Sequence, residues 1–152
     1  VTLAIRRAQA GDLEAIIRLH EEDTLGSHGD AWTPETEPAY RAAFAAIMAS
    51  ADNALFVAEE KDRVVGTFQL TFIPNLTGRG ALRVKVESVK VSARLRSKGI
   101  GAAMMAHAEE EARARGARLL ELSSNKTRTD AHRFYERVGY ERSHEGFKKR
   151  LG

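Results

Sequence analysis

Arg94, Arg96 and Lys98 occupy alternate positions, and Gly99-Ile100-Gly101 follows them at once. Their chemistry is anion binding. Glycines at 99 and 101 carry no Cβ to hold a ligand off the backbone, and the first amides of a helix have no intrahelical acceptor. A basic turn running into such a helix is therefore a natural phosphate cradle. Two phosphate loops do not fit. The string G-x-x-x-x-G-K-S/T is absent, and a dinucleotide turn needs a third glycine where Met104 stands. What remains is R-x-x-G-x-G at Arg96, Gly99 and Gly101, entered from the alternating stretch that ends at Val89 and Val91.

The elements around this turn read as one α/β or α+β layer. Leu3 and Ile5 alternate with polar neighbours in a first strand over 2–7. Asp12 is placed to cap a helix bearing Leu13, Ile16, Ile17 and His20 at helical spacing. Loop chemistry follows from Gly26 to Pro34, with Trp32 inside it as either a core aromatic or a wall of an acceptor pocket. A second helix starts near Thr36–Pro38 and carries Tyr40, Phe44, Ile47 and Met48. Strands over 54–59 and 63–72 flank the polar pair Lys61-Asp62 as a hairpin.

From Leu82 to Val91 the alternation changes phase. Apolar positions are even up to Val86 and odd from Val89, so a strand keeping one face inward must absorb a residue at Glu87-Ser88, as a β-bulge does. The alternative is that the two halves face different layers. A long helix over 99–115 buries Ile100, Met104, Ala108 and Ala112, with Glu109–Arg113 and Glu111–Arg115 in the favourable order. Gly116 ends it. A strand over 118–124, a short helix over 130–138, and strands over 140–143 and 147–151 across His144-Glu145-Gly146 complete the order. The strands before Gly99 and after Gly116 should run parallel, because a helix joins them.

Length and composition set the outer limits. The chain of 152 residues reads as a single domain over 1–152. It has no cysteine, which excludes disulfides and thiolate chemistry and suits a cytoplasmic setting. No apolar run approaches the roughly 18 residues of a membrane span. A formal charge of +3 with interspersed signs suits a small anionic ligand better than a nucleic-acid track. The histidines show no metal-ligand spacing, so no metal is expected.

A second motif, Ala131-His132-Arg133-Phe134-Tyr135-Glu136-Arg137-Val138-Gly139-Tyr140, completes the pattern. Together with R-x-x-G-x-G it resembles the A-x-x-F/L-Y-E/K-x-x-G-F/Y segment and the pyrophosphate turn of the GNAT N-acetyltransferases. Within that family, Ser123-Ser124-Asn125 followed by the second motif is most similar to aminoalkylphosphonate N-acetyltransferases. The specific motifs begin only near Glu87, so the resemblance does not carry an acceptor. It implies a mixed, mostly antiparallel twisted sheet of about seven strands flanked by about four helices. It also implies acetyl-coenzyme A as co-substrate. One departure stands out: Arg128 occupies the place where the family pattern has an asparagine, and Asn125 lies three residues earlier.

The resemblance gives the residues expected roles. Backbone amides of Arg96, Ser97, Lys98, Gly99, Ile100, Gly101 and Ala102 would hold the pyrophosphate, with the Arg96 and Lys98 side chains as auxiliary charges. Main chain at Val89 and Val91 would pair with the pantetheine arm as an added strand, and Asn125 would contact the cofactor. Tyr135 would act as the acid toward the departing thiolate, and Glu87 as the base toward the amine. Solvated charges, a packed Tyr135 and an ordinary strand carboxylate at Glu87 are the bland alternatives. Tyr140 is expected in the core. The acceptor would be a small-molecule amine or a peptide N-terminus, and a homodimer is compatible. Competing functions are an acyl-coenzyme A sensor without turnover and a nucleotide-binding module.

Overall fold

The computed structural model describes residues 3–23 and 28–152, which fall into two compact units with the boundary after Leu122. Thr2, Gly26 and Ser27, which figure in the expected first strand and first loop, lie outside the described residues. The first unit runs β1 (Leu3–Arg7), α1 (Leu13–Glu21), α2 (Glu37–Ala49), β2 (Asn53–Glu60), β3 (Arg63–Ile73), the single turn α3 (Thr77–Gly80), β4 (Arg83–Val91), α4 (Ile100–Ala114) and β5 (Leu119–Leu122). Its sheet has the order β1-β2-β3-β4-β5. Every neighbouring pair is antiparallel except β4 with β5, which run parallel as the helical crossover requires.

The core lies on both sides of β2. Ala54 to Ala58 are all buried, so this strand reads as a continuous apolar run rather than an alternation. On one face Phe56 and Phe68 stack at 5.0 Å, and His107 of α4 meets Phe56 edge-on at 5.2 Å. On the other, Leu55 and Val57 pack with Ala8 and Ile16, with Phe44 and Ile47 of α2 laid against them. Each such fully buried large side chain contributes about 1.5–3 kcal/mol. The β2–β3 hairpin turns through Lys61 and Asp62, both left-handed at φ 50° and 61°, the twist that a two-residue connection favours.

Four local expectations change. Asp12 does not cap α1 with its side chain; Oδ2 accepts from Gln9 N at 2.7 Å and pairs with Arg6 at 2.8 Å. That carboxyl is held below its usual range, chiefly by the Arg6 hydrogen bond. Met48 is 44% exposed, because α2 turns only Phe44 and Ile47 inward. Glu111 pairs with His107 rather than Arg115. Arg115 instead donates to Ala51 O at 3.3 Å and lies over Phe72 at 3.9 Å.

The second unit contains α5 (Thr129–Arg137) and then residues 138–152 without any strand. The sheet thus has five strands, not about seven. The expected strands over 140–143 and 147–151 are absent, and so is the reverse turn at His144-Glu145-Gly146. A strand is stable only beside a partner, and the apolar positions Phe147 and Leu151 are too sparse to recruit one within the unit.

Gly66 sets the approach of α4 to the sheet. A Cβ there would lie 2.6 Å from Met104 Sδ and 3.3 Å from Lys90 O. Met104 is fully buried, so Gly66→Ala forces either α4 or the β3–β4 ladder to shift. Overpacking of this kind costs about 1–3 kcal/mol. Chemical denaturation should show that loss with an unchanged slope, and a midpoint equal to the parent's would mean that Met104 gives way freely.

Candidate active site

β4 contains the bulge that the phase change in its sequence requires. Thr67 pairs with Lys90 and Gln69 with Glu87, so Ser88 and Val89 together oppose Phe68. Ser88 absorbs the extra residue with φ 54°. Val84 and Val86 face the α4 side before the bulge, and Val91, opposite Gly66, returns to it afterwards.

Beyond the bulge β4 has an open edge. β5 pairs only with Arg83 to Val86, and among the described residues no strand lies beside Glu87–Val91 on that side. The amide of Ser92 donates to Val65 O at 2.8 Å. Antiparallel pairing alternates, so Lys90 and Ser92 turn their main-chain groups toward β3, and Val89 and Val91 turn theirs toward the open edge. The strand ends in a single 3-10 turn, Ala93–Leu95.

The basic turn comes next. Arg94, Arg96, Ser97, Lys98 and Gly99 are all exposed. Ser97 and Gly99 take left-handed conformations at φ 65° and 83°, and Gly99 is the N-cap of α4. The first helical bond there runs from Ala103 N to Gly99 O at 3.0 Å, which leaves the amides of Ile100, Gly101 and Ala102 ahead of it. Ile100 is 4% exposed and anchors the start of the helix in the core. The structure therefore brings Val89, Val91 and residues 96–102 into one continuous strand, turn and helix start.

On the opposite face of the sheet, the C-terminal end of α1 is fastened to the same segment. Asp23 Oδ2 lies 2.6 Å from Lys90 Nζ, with both side chains only 13% exposed, and Glu22 Oε1 accepts from Ala93 N at 3.2 Å. These contacts had no sequence signal, because nothing in the spacing of 22–23 and 90–93 links them. His20, at the end of the same helix, is buried, and desolvation is the main cause of its lowered pKa. Glu87 pairs with Gln69 across the ladder. Its side chain is 45% exposed, with Lys85 Nζ 3.8 Å away. In the segment before α2, Trp32 stacks on Tyr40 at 6.1 Å, and the Tyr40 hydroxyl donates to Asp30 at 2.8 Å.

The second unit holds Tyr135 and Asn125. Tyr135 on α5 contacts Phe134 and Tyr140 edge-on at 5.1 and 5.8 Å, and its carbonyl accepts from Tyr140 N at 2.9 Å. Burial pushes its phenol above the usual value, partly offset by the Arg128 charge. The Asn125 side chain accepts from Thr127 N at 2.9 Å and from the Thr127 hydroxyl at 2.7 Å. That is a local loop-forming pattern. Shallow concavities lie beside Pro74, Leu76 and Leu82, and between Lys61, Arg63 and Arg94. Only the second borders the basic turn. Among the described residues no three His, Asp or Glu side chains are grouped to hold a metal, and no helix is long and apolar enough to cross a membrane.

The chain is similar to known proteins along nearly its full length. A solved structure described as a transcriptional regulator from Bacillus halodurans superposes with a TM-score of 0.94 at 37% identity, over 99% of this chain and 100% of that one. A candidate acetyltransferase from Agrobacterium tumefaciens gives 0.84 at 30% identity, over 97% and 99%. Glucosamine-6-phosphate N-acetyltransferase from Arabidopsis thaliana shares the fold, with a TM-score of 0.83 at 18% identity over the whole of both chains. An aminoalkylphosphonate N-acetyltransferase of Salmonella typhimurium is 49% identical over 67 residues, a match spanning 44% of this chain and 44% of that protein. The sequence model of the acetyltransferase (GNAT) family matches residues 13–140. With the bulged strand, open edge and amide-rich turn in the order this family's motifs imply, the chain belongs to the GNAT family of acetyltransferases.

Proposed function

We propose that the chain is an acetyl-coenzyme A-dependent N-acetyltransferase that moves the acetyl group to a primary amine by direct attack in a ternary complex. The observation that carries this reading is the open edge of β4, with Val89 and Val91 facing it, feeding directly into the free amides of Ile100, Gly101 and Ala102. An extended amide-bearing arm with a pyrophosphate at its end fits that sequence of groups. Both units together, as one domain, are proposed to supply the reaction, since the family match runs through α5 to Tyr140. A cytoplasmic setting, compatible with the cysteine-free composition, is part of the proposal.

Each step is assigned to a group of this chain. The N–H of Val91 holds the thioester oxygen as charge develops on it, a role worth about 3 kcal/mol in other enzymes. The amine nitrogen bonds to the carbonyl carbon, the C–S bond breaks, and the sulfur leaves as a thiolate that the Tyr135 hydroxyl stabilises. Glu87 takes the proton that the attacking ammonium must lose, directly or through water. The acceptor is proposed to be a small-molecule amine or a peptide N-terminus. The Arg96 and Lys98 side chains, both exposed, supply auxiliary charge. Asn125 shapes the loop before α5 through Thr127 and is retained as a cofactor contact through that loop.

Release of free thiol from acetyl-coenzyme A, followed across a panel of primary amines, tests the reading. Amine-dependent release is expected with at least one acceptor. Firm cofactor binding with silence across the panel would instead make the fold a sensor. With an acceptor in hand, Glu87→Gln should lower kcat/KM at neutral pH by about 10²-fold. The difference should shrink as rising pH frees the amine without help, and a constant ratio at all pH values would remove Glu87 as base.

A further inference from the structure

Two features of the chain are each half of a β ladder. β5, Leu119-Leu120-Glu121-Leu122, is the last strand of its sheet and pairs only with β4. Its outer edge is apolar, and Leu119 is 51% exposed. An unpaired edge of this composition is one that proteins ordinarily cover. The other half is the segment 141–152. It contains no helix, strand or turn, and Gly146 does not adopt the left-handed conformation of a tight turn. Its two large apolar side chains, Phe147 and Leu151, are 93% and 90% exposed. They share one parity, so in a strand they would project from the same face.

We infer that two copies of the chain exchange these segments, each arm adding as a strand to the open β5 edge of the other copy. A twelve-residue arm, 141–152, spans about 40 Å when extended, whereas β5 covers about 13 Å. Without a reverse turn at 144–146 the arm cannot double back to supply two short strands to one edge. A straight arm of that length suits a neighbour's edge and the surface beyond it. The arm is basic, with Arg142, Lys148, Lys149 and Arg150 against Glu141 and Glu145, and the β5 edge presents Glu121 with a 36% exposed side chain. Exchange about a two-fold axis makes the contact twice. Two arms with their two receiving edges approach the roughly 20–30 residues per side of a stable interface.

The absence of cysteine from the chain makes the test direct. Light scattering of the full chain over a wide dilution series should give the mass of a dimer, and Phe147→Asp with Leu151→Asp should shift it to monomer at the concentrations where the parent is dimeric. Both substituted positions are exposed in the single chain, so melting of the variant should remain cooperative. A chain bearing both Arg118→Cys and Lys149→Cys, treated with a short thiol-to-thiol cross-linker, should yield a covalent dimer. A parent that is monomeric throughout, a variant that stays dimeric, or cross-linking confined within single chains would each overturn the exchange. None of these readouts depends on acetyl transfer.

Discussion

Gly101→Asp is expected to abolish acetyl-coenzyme A binding while leaving the fold intact. Gly101 is the second residue of α4, and its amide precedes the first helical bond, from Ala103 N to Gly99 O. An aspartate there sets a carboxylate against a pyrophosphate and competes for the same amides. Hydrogen bonds to charged groups contribute about 1.5–3 kcal/mol each, so losing two of them weakens binding by roughly 10²–10⁴-fold. The helix itself should tolerate the change, since an acidic residue in its first turn complements the dipole. Gly101 lies outside the left-handed region, and Gly101→Ala should therefore bind nearly as the parent does, which separates charge from bulk. Calorimetric titration that finds the aspartate variant binding with unchanged affinity would remove the turn from the site. Gly99 differs: at φ 83° any side chain is strained there, at about 1 kcal/mol or more.

Much of the donor side of the site was legible because it is written in local chemistry. The phase change between Val86 and Val89 demanded an extra residue, and Ser88 at φ 54° supplies it. The glycine pair announced both a left-handed cap and free amides, and Gly99 and Ile100 provide them. The parallel pairing of β4 and β5 followed from the helix between them. Contacts set by distant parts of the chain left no such trace. Lys90 looked like one more strand cation, yet it is nearly buried against Asp23. Glu22 looked like one more helix carboxylate, yet it accepts from Ala93 N. The reverse error fell on the last twelve residues, where alternation was read as strand. A period of two says which face a residue would take; it does not provide a neighbouring strand to pair with.

Tyr135→Phe is expected to lower kcat by about 10²-fold while changing the affinity for acetyl-coenzyme A less than twofold, about 0.4 kcal/mol. Phenylalanine keeps the ring and its edge contacts with Phe134 and Tyr140, so only the hydroxyl is removed. At reference pKa values of about 10 and 8.5, full proton transfer from a phenol to a thiolate is uphill by roughly 2 kcal/mol, and burial raises the Tyr135 pKa further. The hydroxyl thus acts by hydrogen-bonding the sulfur as its charge grows, with the proton staying on oxygen. Because the folded pKa is raised, the donor form is fully present at neutral pH and is lost only as pH climbs above the ordinary phenol range. Parent and variant profiles should therefore run parallel from neutrality to about pH 10. The loss should also depend on the leaving group, since a more acidic thiol develops a better-stabilised anion and needs the hydroxyl less. A set of acetyl thioesters of graded thiol pKa should show the parent-to-variant ratio falling as the thiol becomes more acidic. An equal loss across the set, or a near-normal rate, would make Tyr135 a packing residue of α5.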